Sequence, residues 1–244
     1  MTDFAVILPA AGRSTRFADP RTRKIFADLD GRAVWLRAIE PFVGRDDVRQ
    51  LIVAIHPDDR PQFEGRYASQ VAAWNLVLVD GGEERADSVE RALAAVDPAC
   101  RHVAVHDAAR PCTSPELIEA VFATARLHGA AVPGLDVTDT LKRVDSDGRL
   151  AETVPRAGLV AVQTPQAFRR DWLVEAYSRR DRSRPATDDA QLVEALGRAC
   201  HRVQGSAFNL KITRAEDLLV AAAFLRVLEA SRDHRATRPL LGGA

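Results

Sequence analysis

Three short stretches of the 244-residue chain combine small residues with charge in patterns that suit phosphate chemistry. The first is Pro9-Ala10-Ala11-Gly12, which follows the apolar run Ala5 to Leu8 and is trailed by Arg13, Arg16, Arg23 and Lys24. Without bulky side chains, the backbone N–H groups of Ala10, Ala11 and Gly12 can approach an anion closely. The loop fits neither GxGxxG nor GxxxxGK[ST], which argues against dinucleotide-fingerprint and Walker-type binding. The second stretch is DGGEERADSVERAL, where Gly81-Gly82 permits close approach by a flat ligand and Ser88 could hydrogen-bond a base edge. In the third, HDAARP, Asp107 offers an oxygen to Mg²⁺. Each has a plainer account when taken alone: a strand-to-helix turn with solvated arginines, or an aspartate that caps a helix or forms a turn.

What would bring three such stretches together is an α/β fold. Ala5 to Leu8, Leu51 to Ile55, Leu76 to Val79, His102 to His106 and Ala130 to Val132 read as short buried strands. Between them Ala33 to Val43, Asp59 to Ala73, Ala86 to Val96 and Glu116 to His128 have amphipathic helical spacing. Alternation of this kind implies right-handed crossovers and a mostly parallel sheet covered on both faces. Ligands then gather at the carboxyl ends of the strands, where all three stretches fall. Thr113-Ser114-Pro115-Glu116 and Thr213-Arg214-Ala215-Glu216 signal helix starts, the latter as a capping box. From Ser231 onward the sequence loses periodicity and reads as a frayed end. Asp136 to Gly158 breaks the alternation: it reads as a hairpin arm turning at Asp145-Ser146-Asp147-Gly148. A lone hairpin is marginal in water, so a second subunit is expected to support it.

Composition narrows the classes. With 46% hydrophobic residues the chain can bury a full core, and residues 1–244 are expected to form a single domain. Its 34 basic and 34 acidic residues cancel, which gives no support to a nucleic-acid or anionic-membrane surface. Nothing in it approaches the roughly 20 apolar residues of a membrane span. Met1-Thr2-Asp3 begins no secretory leader, and a cytoplasmic protein is expected. Cys100, Cys112 and Cys200 are odd in number and lack CxxC pairing, so they are expected to be reduced.

PAAGRSTRF, Lys24, DGGEERADSV, VHDAARP, DTLKR, QTPQAF, TDDA and NLKIT occur in this order from residue 5 to about 220, and together they resemble the 2-C-methyl-D-erythritol 4-phosphate cytidylyltransferases. The resemblance implies a Rossmann-like nucleotidyltransferase fold, a homodimer through the arm at about 136–158, and Mg²⁺-assisted transfer of CMP from CTP to the polyol phosphate. It assigns Pro9, Ala10, Ala11 and Gly12 to the triphosphate, with Arg16, Lys24 and Lys211 as catalytic cations. Gly81, Gly82 and Ser88 would hold cytosine, with Asp87 beside them. Asp107, as metal or substrate ligand, Arg110 and Thr164 would face the acceptor, and Thr140 and Arg156 would reach in from a partner's arm. No enzymic nucleophile is required, because the acceptor phosphate itself attacks.

The chain departs from the family pattern at Ser14 or Thr15, at Arg23 and Ile25 around Lys24, and at Gln163 and Phe208. Two alternatives stay open on sequence: a cytidylyltransferase for another polyol phosphate such as ribitol 5-phosphate, and a catalytically silent nucleotide-binding module. The six histidines show no metal spacing, His106 reads as a packing residue, and Trp35, Trp74 and Trp172 as core or edge packing. The run Ser178 to Arg184 reads as a solvated loop and Thr187 to Ala190 as a helix cap.

Overall fold

Strand β1 (Phe4–Pro9) sends Phe4, Val6 and Leu8 into one hydrophobic cluster and Ala5 and Ile7 into another. That division is why its sequence is uniformly apolar: a central parallel strand is buried on both faces. The structure, a computed structural model, describes residues 3–12, 17 and 23–236, the last six of these by backbone alone. After β1 come the short hairpin β2 (Asp28–Leu29) and β3 (Arg32–Ala33), helix α1 (Val34–Ile39), β4 (Val48–Ile55), α2 (Arg60–Glu64) and α3 (Ala68–Ala73). The chain continues through β5 (Leu76–Asp80), α4 (Arg85–Leu93), β6 (His102–Val105), α5 (Pro115–His128) and β7 (Ala130–Asp136). The arm is β8 (Leu141–Val144) and β9 (Leu150–Val154). Then follow β10 (Val160–Val162), β11 (Gln166–Arg169), α6 (Arg170–Ser178), α7 (Asp189–Glu194), β12 (His201–Gln204) and α8 (Asp217–Ala236).

The main sheet runs β10-β7-β11-β6-β1-β4-β5, with β12 also on β7. Strands β5, β4, β1 and β6 are mutually parallel, so their carboxyl ends share one edge. The expected α/β class holds, with one addition: β11 lies antiparallel between β6 and β7. This strand carries the QAF of the QTPQAF motif, and it feeds Thr164 to the same sheet edge from the opposite chain direction.

One face of the sheet packs Trp35, Phe42, Phe63 and Phe122, all fully buried. The other packs Val89, Phe168, Leu173 and Val193 from α4, β11, α6 and α7. Side chains of this size contribute about 1.5–3 kcal/mol each on burial. A third cluster seats α8 through Ala221 and Leu225 on Leu29, Val34 and Ile212.

Several boundaries differ from the sequence expectation. Asp59 to Ala73 forms two short helices, because the chain breaks around Gly65, whose amide closes on Pro61 O. The acidic residue that closes the turn leading into α8 is Asp217, the first residue of the helix, whose Oδ2 accepts from the Thr213 amide and hydroxyl and the Arg214 amide, in place of Glu216. Helix α8 runs to Ala236, so the segment read as a frayed end from Ser231 is helical through its first six residues, while 237–244 lie outside the described residues, and Ser114 caps α5 as expected. The arm is Leu141 to Val154, with its turn closed by Asp145 and Gly148.

Candidate active site

The backbone beyond β1, β5 and β6 continues the ladder for one step before turning away: the Ala10 amide donates to Ala54 O, Gly81 to Ile55 O and His106 to Ile7 O. These three turns wall a cleft of about 310 Å³. Pro9 to Gly12 form one side, Gly82 to Arg85 another and Asp107 the floor, with Lys24 and Lys211 contributing cations from separate segments. A Cβ added at Gly12 would meet no atom of the described residues within 4 Å. Lys24 sits on a 3-10 turn whose Ile25 and Phe26 are buried, and Phe26 stacks on Tyr67. The two residues unusual for the family, Arg23 and Ile25, thus have structural work: Arg23 pairs with buried Asp59, and Ile25 enters the core.

The Gly81 to Glu84 turn is held from within. A Cβ at Gly81 would lie 2.3 Å from Ala11 Cβ, and one at Gly82 would lie 2.2 Å from Asp87 Cβ. Only glycine allows the two walls to meet this closely. Ser88 Oγ accepts from the Gly82 amide at 3.0 Å and donates to Glu84 O at 3.1 Å. Asp87 and Glu84 form a capping box at the start of α4, and Asp87 also pairs with Arg180. Arg180 is 5% exposed, which corrects the reading of Ser178 to Arg184 as wholly solvated: the loop is clamped onto α4, with Arg182 on Glu90 at 2.7 Å.

Asp107 is the electrostatic centre of the floor. Lys211 Nζ lies 2.9 Å from its Oδ2, Arg110 Nε 3.5 Å from the same oxygen, and Arg85 Nε 3.1 Å from Oδ1. Burial alone would raise the Asp107 carboxyl, but the charges of Arg85, Lys211 and Arg110 outweigh it and hold the group far below its ordinary range. It is a carboxylate at any physiological pH. Arg85 also reaches Asp189 Oδ2 at 2.8 Å, and Tyr177 donates its hydroxyl to Asp189 Oδ1 at 2.5 Å.

Behind Asp107 is a buried polar layer. The Asp107 amide donates to Thr164 Oγ1 at 3.0 Å, and that hydroxyl faces His106 Nδ1 at 3.2 Å. His106 Nε2 faces Arg110 O at 3.1 Å. A carbonyl can only accept, so the His106 proton sits on Nε2 and Nδ1 accepts from Thr164. Complete burial pushes His106 down to about 4, so the ring is neutral. Asn209 ties the layer to the Lys211 segment: its Nδ2 donates to Thr164 O, its Oδ1 accepts from Thr113, and its O accepts from Arg110.

Residues 4–227 match the family described as IspD, 2-C-methyl-D-erythritol 4-phosphate cytidylyltransferase. The chain belongs to this cytidylyltransferase family. A member from Rhodopirellula baltica is 43% identical over 232 residues, covering 91% of this chain and 94% of the relative. One from Frankia casuarinae is also 43% identical, covering 95% of this chain and 84% of the relative. Among solved structures, the cytidylyltransferase from Thermus thermophilus superimposes with a TM-score of 0.75 at 36% identity, covering 91% of this chain and 98% of that one.

Of the family positions read from sequence, the cleft gathers Pro9, Ala10, Ala11, Gly12, Lys24, Gly82, Ser88, Asp107 and Lys211. Gly81 stands just behind, shaping the wall, and Arg110 and Thr164 support the floor from below. Asp87 turns away from the cleft, because its carboxylate is used by the helix cap and Arg180. The Ser88 hydroxyl holds the turn through one accepted and one donated bond, which leaves it a single acceptor site toward the cleft. Thr140 and Arg156 are exposed on the arm side and do not line the cleft. Arg13, Ser14, Thr15 and Arg16 lie outside the described residues. Phe208 packs edge-on against Phe224 of α8, which accounts for an aromatic at that position.

Sequence reasoning misses Arg85, Asp189, Tyr177 and Asn209. No local signal marks Arg85, and Asp189 lies within Thr187 to Ala190, where Asp188 caps α7 as expected by accepting from the Gln191 amide. Asp107 does not fit the role of principal metal ligand, since cationic nitrogens contact both its oxygens. Among the described residues no group of three His, Cys, Asp or Glu side chains comes together to hold a metal ion.

Proposed function

We propose that this chain transfers CMP from CTP to 2-C-methyl-D-erythritol 4-phosphate and releases pyrophosphate, the reaction named for its relatives from Rhodopirellula baltica and Frankia casuarinae. The observation that carries the reading is the placement of Lys24 and Lys211 in one cleft with the Ala10 to Gly12 turn and Asp107. An oxygen of the acceptor phosphate attacks the α-phosphorus in line; the bond from that phosphorus to the bridging oxygen breaks, and pyrophosphate leaves with the electron pair. Two polyanions must meet for this, and fixed cations make that contact tolerable. Lys24 and, by the family resemblance, Arg16 serve the triphosphate, while Lys211 stands between Asp107 and the reacting phosphates. The Ala10 to Gly12 backbone positions the chain of phosphates, and alignment does the rest.

Cytosine is assigned to the Gly82 carbonyl and the Glu83 backbone, because the Gly82 amide and the Ser88 hydroxyl engage each other. A uracil presents the opposite edge and leaves partners unpaired, which discriminates strongly. Mg²⁺ is proposed as the divalent ion, held by the CTP phosphates, where it lowers their charge. The exposed arm supports a homodimer, with Thr140 and Arg156 offered to a second copy; β8 and β9 pair only with each other in the described sheets. Unpaired Cys100 and Cys112, both buried, support a reducing cytoplasmic setting, and no described helix is long and apolar enough to cross a membrane.

One assay tests the reading: pyrophosphate release with Mg²⁺, from CTP or UTP, with methylerythritol phosphate or ribitol 5-phosphate. Release is expected from CTP with methylerythritol phosphate alone. Preference for ribitol 5-phosphate would reassign the acceptor. Binding of CTP without release in any arm would select the silent module.

A further inference from the structure

Asp189 is completely buried at the start of α7 and lies outside the cleft lining, yet it holds a residue that lines it. Its Oδ2 accepts from Arg85 Nη2 at 2.8 Å and its Oδ1 from the Tyr177 hydroxyl at 2.5 Å. Its own amide and that of Ala190 both donate to Gln166 Oε1, at 3.2 and 3.1 Å, so the backbone that carries it is anchored to β11. The Gln166 amide nitrogen in turn donates to Asp188 at 3.0 Å. The Gln166 side chain that holds the Asp189 backbone is thus itself held.

The geometry at Arg85 gives this anchoring a purpose. Nε goes to Asp107 and Nη2 to Asp189, so one edge of the guanidinium fork is divided between two carboxylates. A guanidinium whose Nε and Nη2 face a single carboxylate pairs with it in bidentate fashion. Were Asp189 absent, Nη2 would be released to complete that pair on Asp107, in competition with Lys211 for Oδ2. Resting on the nucleotidyltransferase reading above, we propose that Asp189 is a positioning residue: by dividing the Arg85 fork, it keeps Arg85 off Asp107 Oδ2, the oxygen that Lys211 contacts at 2.9 Å and Arg110 Nε approaches at 3.5 Å, and so sets where the Lys211 charge meets the reacting phosphates. Tyr177 belongs to the same device, since its hydroxyl occupies the second oxygen of Asp189 and prevents that carboxylate from rotating.

The test uses the full chain with Asp189→Ala and Asp189→Asn, each alone and on an Arg85→Met background, with steady-state kinetics of pyrophosphate release. Asp189→Ala is expected to lower kcat on the order of tenfold or more, the size seen when a supporting partner of a reacting group is lost. The KM for CTP should stay within about twofold. Asp189→Asn keeps an acceptor for Arg85 and should restore most of the lost rate. On the Arg85→Met background Asp189→Ala should add nothing further, because there is no fork left to divide. Additive losses on that background, or equal losses from Ala and Asn, would overturn the proposal.

Should Asp189→Ala fail to fold, Tyr177→Phe replaces it, with a few-fold loss in kcat that also disappears on the Arg85→Met background. A crystal structure of the variant reads the proposal without activity. Nη2 of Arg85 should move to within about 3.5 Å of Asp107. Arg85 remaining in place would overturn the positioning role even in an enzyme with a different acceptor. A wild-type protein that releases no pyrophosphate would instead refute the function and leave the structural outcome to decide this one.

Discussion

Lys211 Nζ stands 2.9 Å from Asp107 Oδ2, although the two residues come from segments more than a hundred positions apart. The link between those segments is backbone: the Ile212 amide donates to Ala109 O at 2.8 Å. Lys211 is therefore delivered to the floor of the cleft by a strand-like contact, with Asn209 fixing the preceding turn. Removing the charge as Lys211→Met is expected to lower kcat about a hundredfold, near 3 kcal/mol. Lys24→Ala should show a loss of similar order. Pyrophosphate release at saturating CTP and acceptor measures both, and near-normal turnover would remove the residue concerned from the chemistry.

Thr164 is the contact between the buried layer and Asp107. In Thr164→Val the Asp107 amide loses its acceptor while remaining buried, which costs about 1–3 kcal/mol. The expected result is a lower denaturant midpoint together with a reduced kcat/KM for the acceptor. A variant with wild-type values for both would show that the hydroxyl is dispensable.

Gly81 lies between the Gly82 to Glu84 turn and the Pro9 to Gly12 turn. A methyl group placed there would meet Ala11 Cβ at 2.3 Å and Ser88 Oγ at 2.8 Å. Gly81→Ala should destabilise the chain by about 1–3 kcal/mol and raise the KM for CTP, because the strain falls on both walls of the cleft proposed to hold the nucleotide. Thermal unfolding and CTP titration check the two halves of this expectation separately.

His106 predicts a pH dependence of stability. Its folded value is pushed from 6.5 to about 4 by burial, so the unfolded chain binds the proton more readily between these values. Stability is full above about pH 6.5 and falls as pH drops toward 4, by roughly 3 kcal/mol from this one group. Buried His102, also lowered, adds to the same slope. Below pH 4 the loss continues through Asp107, whose carboxylate is stabilised by three cations. Urea unfolding at stepped pH should show the slope, and His106→Asn should flatten it.

The arm predicts the assembly. Val144 is 53% exposed and Leu150 68% exposed on a two-stranded hairpin. Light scattering is expected to give a dimer for the wild type and a monomer for the Val144→Asp, Leu150→Asp double variant, with turnover reduced in the monomer. An active monomer would detach Thr140 and Arg156 from catalysis.

The sequence by itself determined the α/β class, the cleft-lining turns Pro9 to Gly12 and Gly81-Gly82, the hairpin and the identity of Asp107, because each depends on local signals: apolar runs, glycine pairs, an Asp-Gly turn. Strand β11 escapes notice since four residues leave little periodicity and its antiparallel insertion is a choice of sheet neighbours. Arg85, Asp189 and Tyr177 escape for a related reason. An arginine at a helix start and an aspartate beside a cap look the same whether they meet solvent or each other, and they are 104 positions apart. Only packing α4, α6 and α7 on one face of the sheet brings them together, burying Asp189 and Tyr177 behind Arg85 at the cleft wall.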